Sequence, residues 1–244
     1  MPERRGFCDL HCHLLHGVDD GAKTLEDTLE MARALVDLGF SAVAPSPHAR
    51  PEYAPRETTS ARLAEVAEAL KSANIPLELA PNAENFLLDE HLFERLGTPE
   101  ARLLGAGGYL LVEAPYTSPV TALPQMVFRM RVKGVTPLIA HPERCLEFER
   151  PGRAREAVKA GALLQLDIGA LTGRYGGAAK KVARTLLDEG LYAVGATDLH
   201  SPVGAREWVG KALAELRDRA GEQEFQALMS DRPWRLLRGE SLES

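Results

Sequence analysis

Short, apolar, β-rich runs alternate with longer amphipathic segments along this chain, and a side chain able to bind a metal follows nearly every run. The runs cover 6–10, 41–45, 76–80, 109–112, 136–140, 163–167 and 192–196. Helix-type segments cover 24–38, 58–73, 89–96, 120–133, 153–160, 178–189, 204–220 and 222–230. Thr24-Leu25-Glu26-Asp27 has the form of a capping box, and Gly39, Gly134, Gly161 and Gly190 each stand where a helix would end. Strands alternating with helices predict βα units and a parallel sheet. Polar residues after nearly every strand favour a closed or nearly closed barrel, because only a barrel gathers all its strand ends on one face. An open sheet would concentrate them at one switch point. The expectation is an α/β, TIM-like barrel with its site at the C-terminal strand ends, and one domain over residues 1–244.

The strand ends, taken in order, carry the chemistry. The first holds Asp9, His11 and His13, with Asp20 in the following loop. Side chains alternate across a strand, so Asp9, His11 and His13 are expected on one face. The second end brings His48, the third Glu84, the fourth Glu113, the fifth His141, and the seventh Asp198 and His200. The sixth, Leu166-Asp167-Ile168-Gly169, offers no convincing ligand.

Leaving Asp9 aside, five histidines and four carboxylates make nine candidate ligands. At about three to five ligands per ion they imply two or three divalent metals, some sharing a carboxylate. Imidazole with carboxylate suits Mn, Fe or Zn better than Ca or Mg. Such a cluster would provide a hydroxide near neutral pH and clamp a phosphoryl or carbonyl oxygen. Taken singly, each residue has a plainer reading: a strand pair for His11 and His13, a buried salt bridge for Glu84 or Glu113, a loop residue for His48. The ordered series weakens all of these together. His16 breaks the period-two phase, and His91 lies in the charged stretch Asp89-Glu90-His91 and is expected to face solvent.

Other chemistries fail on spacing. No arginine stands six residues after Cys8, Cys12 or Cys145, as a cysteine phosphatase loop requires, and there is no P-loop. Gly105-Ala106-Gly107-Gly108 precedes a strand and reads as a turn. Gly173-Arg174-Tyr175-Gly176-Gly177 reads as a loop after the sixth strand, with a substrate lid as the sharper alternative. A net charge of −6 without a basic run argues against nucleic acid or an anionic membrane as partner. No apolar stretch is long enough to span a bilayer. No signal-peptide core follows Met1, and three cysteines form no disulfide framework, so the cytoplasm is expected.

Asp-x-His-x-His, Asp-Asp-Gly, Pro-His, Ala-Glu, Val-Glu-x-Pro, His-Pro-Glu-Arg and Thr-Asp-x-His, in this order from Asp9 to His200, resemble the PHP (polymerase and histidinol phosphatase) superfamily. Within it, His13 to Ala22 and Ala140 to Arg144 resemble the bacterial manganese-dependent protein-tyrosine phosphatases of capsule and exopolysaccharide operons. The resemblance implies a distorted (β/α)7 barrel with a trinuclear centre, its metals held by His11, His13, Asp20, His48, Glu84, Glu113, His141, Asp198 and His200. It implies Arg144 as the catalytic, phosphate-holding arginine, Arg206 as a second phosphate ligand, and Asp9 as a residue orienting an imidazole. His48 or His200 would sit near the leaving oxygen. The implied substrate is a phosphotyrosine protein, the tail of a bacterial tyrosine kinase. Asn82, His16 and Ala114 depart from the family pattern, where Gly, Pro and an aromatic residue are usual. The rival readings are a small-molecule phosphatase, such as one acting on histidinol phosphate, and a non-catalytic, metal-stabilised regulatory module.

Overall fold

The computed structural model describes residues 5–242. Its strands are β1 (Phe7–Cys12), β2 (Phe40–Pro45), β3 (Glu78–Leu79), β4 (Asn85–Phe86), β5 (Tyr109–Glu113), β6 (Thr136–Ala140), β7 (Leu163–Asp167) and β8 (Val194–Ala196). They pair in parallel as β1-β2-β3 and β4-β5-β6-β7-β8. Two seams join the sheets. Cys12 bridges Leu199, with the Asp198 N–H donating to the His11 carbonyl at 2.8 Å. His48 bridges Glu84, with the Ala49 N–H donating to the Glu84 carbonyl at 2.8 Å. The sheet therefore closes into a distorted (β/α)7 barrel in which β3 and β4 share the third position. The expected strand at 76–80 is only two residues long. Pro81, which has no N–H to give to a ladder, stands in the gap, and the Asn82 side chain fills it by donating to the Leu10 carbonyl at 2.9 Å.

The helices are α1 (Leu25–Asp37), α2 (Arg56–Ser72), α3 (Leu92–Arg95), α4 (Leu123–Val132), α5 (Arg153–Lys159), α6 (Ile168–Thr172), α7 (Gly176–Asp188), α8 (Ala205–Gln226) and α9 (Arg232–Leu237). The capping box at Thr24 and Asp27 forms as expected. The expected break near residue 221 is a kink, where Gly221 takes φ 78° inside α8. Helix α9 had no counterpart in the sequence reading. Its Trp234, Leu236 and Leu237 join the cluster of Leu10, Ala42, Ala44, Leu111 and Leu138, and the Trp234 indole donates to the Gly6 carbonyl at 3.0 Å. Gly6 precedes β1, so α9 plugs the N-terminal end of the barrel and leaves the C-terminal end for chemistry.

Two apolar layers result. One holds the inward side chains, such as Tyr109 and Leu111 on β5 and Leu138 and Ala140 on β6. The other, including Leu110, Val112, Ile139, Leu164 and Leu166, packs outward under the helices. Each fully buried leucine contributes about 1.5–3 kcal/mol to this packing. On β1 the alternation breaks. Cys8 and Leu10 belong to the inner layer and Cys12 to the outer. The cause is a bulge: Asp9 pairs with Val43 and Cys12 with Pro45, so three steps on β1 oppose two on β2. Asp9 thus falls on the face opposite Leu10, and the expected shared face for Asp9, His11 and His13 does not form.

Candidate metal centre

All nine expected ligands lie together at the C-terminal rim. Their ligand atoms form four overlapping groups, each within 4.8 Å: His13, Asp20, His48 and His200; His11, His141 and Asp198; His11, His13 and Glu84; His48, Glu84 and Glu113. Glu84 belongs to two groups. The bulge turns His11 on β1 and His13 just after it toward the mouth, where their Nε2 atoms face each other at 3.3 Å. Asp198 Oδ1 lies 3.2 Å from the former and 3.4 Å from the latter. Two ligand positions use backbone that side chains rarely adopt, His141 with φ 30° and Asp198 with φ 51°. Each such conformation costs about 1–3 kcal/mol, and the surrounding barrel must enforce it. Gly21 lets the Asp-Asp-Gly loop approach β1, since a Cβ there would stand 2.3 Å from the His13 carbonyl oxygen.

The surrounding carboxylates hold protons on three imidazoles. Burial opposes the charge on His11, but Glu84 and Asp198 outweigh it and push its pKa up to about 10. His13, beside Asp19 and Asp198, is pushed up to about 9 against the same burial cost. His48, beside Asp20 and Glu84, also reaches about 9. Burial acts the other way on Glu84 and Asp198, yet the imidazoles hold both below the usual carboxylate range. His141 is lowered by burial, reinforced by Arg144. This donor set fits divalent cations. Imidazoles and carboxylates alternate at near-contact distance, and the buried His141 Nδ1 has no hydrogen-bond partner.

Supporting side chains fix the rings. His11 Nδ1 meets Gln165 Oε1 at 2.8 Å, and His13 Nδ1 meets Asp19 Oδ2 at 2.7 Å. Partners of this kind set the tautomer of a ligating histidine. Asp9, expected in that role, touches no imidazole ring. Its carboxylate accepts from the His11 N–H at 3.2 Å and the Thr197 N–H at 3.1 Å, and so ties β1 to the end of β8. The bulge explains the correction, because it separates Asp9 from the ring-bearing face.

Arg144 reaches the cluster from the turn after β6. Its NH1 lies 2.6 Å from Asp198 Oδ2 and 3.6 Å from Asp167 Oδ2. The guanidinium sits between two rings, 4.8 Å from the Tyr116 centroid and 4.3 Å from that of Tyr175. With Asp20, His48, Arg50, Tyr53, Glu84, Glu113, Tyr116, His141, Asp198 and His200 it lines a cleft of about 220 Å³. Arg206 does not line it. Its guanidinium Nε donates to Asp37 Oδ2 on α1 at 2.7 Å. His91 is exposed, and His16 packs against Arg62 with 2.7 Å between Nε2 and NH1.

The sequence reading gave no site role to Gln165, Asp167, Asp19, Arg50, Tyr53 or Tyr116, and reached Tyr175 only as part of the 173–177 loop. Strand parity held the signal for two of them. Leu163 packs on the inner layer, so Gln165 and Asp167 also point inward, and the sixth strand end is not empty. Tyr116 places an aromatic ring at the cleft two residues beyond Ala114, where the family pattern has its own. Of the expected loop at 173–177, residues 173–175 form the turn between α6, which stops at Thr172, and α7, which starts at Gly176, and Tyr175 in that turn covers Arg144.

A parallel α/β barrel with imidazoles and carboxylates converging at its C-terminal strand ends is an architecture of metal-dependent hydrolases. The chain belongs to the capsular polysaccharide synthesis family CpsB/CapC, whose model matches residues 7–238. It is 30% identical to the tyrosine-protein phosphatase YwqE of Bacillus subtilis over 237 residues, covering 96% of this chain and 92% of the relative. It is 25% identical to the tyrosine-protein phosphatase CpsB of Streptococcus pneumoniae, covering 94% and 97%. Among solved structures it matches one from a study of YwqE and CpsB, described as unique metal-dependent tyrosine phosphatases. That match has TM-score 0.86 and 28% identity, covering 96% of this chain and 95% of the other. An organophosphorus hydrolase from Deinococcus radiodurans shares the fold alone, at TM-score 0.57 and 17% identity over 96% and 93%.

Proposed function

We propose that this chain is a metal-dependent protein-tyrosine phosphatase of polysaccharide synthesis, acting on the phosphotyrosine tail of a bacterial tyrosine kinase. The observation that carries this reading is the overlap of the four ligand groups through Glu84, His11, His13 and His48, with Arg144 against the same cluster. The nine side chains would hold two or three divalent ions, with three the number proposed here. Mn is the proposed metal, and Fe or Zn match the same donors. Bound there, the ions would supply an activated water near neutral pH and positive charge for phosphoryl oxygens.

The chain's own residues do the rest. Arg144 offers a planar pair of N–H donors to two phosphoryl oxygens and offsets the charge that grows on them. Tyr53, stacked on His48 at 5.0 Å, and the 40% exposed Tyr116 present aromatic faces at the cleft. An aryl phosphate offers such rings a matching face. Arg206 is proposed as a second phosphate contact. Its pair with Asp37 is half exposed, and releasing it costs about 0–1 kcal/mol. Residues 1–244 are read as one domain, since both apolar layers draw on strands from each sheet. The three cysteines are free and buried, which suits a reducing cytoplasm. Among the described residues no helix is long and apolar enough to cross a membrane.

The test compares kcat/KM of metal-loaded protein on a phosphotyrosine peptide and on histidinol phosphate. A clear preference for the peptide supports the reading. A preference for histidinol phosphate overturns the substrate, and hydrolysis of neither overturns the function.

A further inference from the structure

The β7 end supplies none of the nine expected ligands, yet it carries one of the most thoroughly buried acids in the chain. Asp167 is 0% exposed. Its Oδ1 accepts from the Gly169 N–H at 2.9 Å and caps α6. Its Oδ2 lies 3.6 Å from Arg144 NH1. The Tyr175 phenol lies against the same carboxyl while its ring covers the guanidinium. A buried carboxyl is costly to ionise unless a cation stands beside it, and Arg144 is the cation beside this one.

Arg144 meets two carboxylates in the structure, and they differ in what else they serve. Asp198 also contacts His11 and His13 and belongs to a ligand group, so cations at the cluster would engage it. Asp167 is in no ligand group. We propose that Asp167 is the positioning residue for Arg144. It holds the guanidinium at the cleft when Asp198 is committed to the cluster, while the rings of Tyr116 and Tyr175 fix the guanidinium plane. This inference deepens the phosphatase reading and rests on it, because it gives Arg144 a reason to be held over the cleft.

The test uses Asp167→Asn in the full chain. Asparagine keeps an oxygen for the Gly169 N–H, so the α6 cap survives while the carboxyl partner of Arg144 is lost. With metal content and melting temperature matched to the unaltered protein, kcat/KM on a phosphotyrosine peptide is expected to fall about 10²-fold, the cost of misplacing a group by about 1 Å. Affinity for inorganic phosphate, read by calorimetry on metal-loaded protein, is expected to fall with it. In an Arg144→Ala background the same change should alter kcat/KM by less than about twofold, since Asp167 acts through Arg144. Unchanged kcat/KM and phosphate affinity in Asp167→Asn would overturn the proposal. So would an equal loss in the Arg144→Ala background, which would mark a structural role. If the unaltered protein cleaves no phosphotyrosine, the functional reading alone fails, and phosphate affinity in the same four proteins still decides whether Asp167 positions Arg144.

Discussion

The β1 and β7 ends sit on the same rim and have divided the work between them. The β1 end points two imidazoles directly into the cluster, with a bulge to turn them and Gly21 to let the next loop close in. The β7 end points two side chains the same way, and neither is in a ligand group. Gln165 holds the His11 ring at 2.8 Å, and Asp167 stands 3.6 Å from Arg144. A strand end poor in ligands is therefore part of the site. Its residues aim what its neighbours supply.

The sharpest way to break this division is at the carboxylate shared by two groups. Glu84→Ala should cost at least one ion per chain and lower kcat/KM by more than the loss of a single charge-stabilising donor, about 10³-fold. Full metal content in that variant, read by elemental analysis, would remove Glu84 from the cluster. Arg144→Ala should lower kcat about 10²–10³-fold with the metal content intact. A parallel loss of metal would mean that Arg144 supports the cluster rather than the phosphate.

Gln165→Leu tests the β7 side. It removes the partner of the His11 ring without removing a ligand, and ion affinity should weaken about 10–100-fold. Affinity equal to that of the unaltered protein would leave Gln165 a packing residue.

The smallest expected effect is graded with pH. His11, His13 and His48 have folded-state pKa values near 10, 9 and 9, above the ordinary 6.5. In the ion-free protein their stabilising contribution is fully present below about pH 6.5 and lost as pH rises through 9 to 10. Ions must displace those same protons, so apparent ion affinity should rise with pH over that window. Calorimetry at pH 7 in buffers of different ionisation enthalpy should detect proton release. No release would show that these imidazoles are already neutral without ions.

Much of this was legible in the residues. The order of strand ends led to a barrel and to nine side chains that the fold brings together, because βα alternation leaves all C-terminal ends on one face. Four things were not legible. The β1 bulge depends on pairing with β2, so Asp9 could not be separated from His11 and His13 by counting along one strand. The split third position and the α9 plug depend on how the barrel closes at Pro81 and at its N-terminal end. Tyr175 reaches Arg144 only because α6 and α7 bracket it so closely. Gln165 and Asp167 are different: inward parity was readable on β7, and a search for ligands alone passed over the residues beside His11 and Arg144.

The most direct measurement of the central claim is metal content per chain, taken alongside turnover of p-nitrophenyl phosphate before chelation, after it, and after adding Mn back. Two or three ions per chain are expected, with turnover lost on their removal and restored by Mn. Full turnover with fewer than two ions per chain would contradict a shared multi-metal centre at this rim.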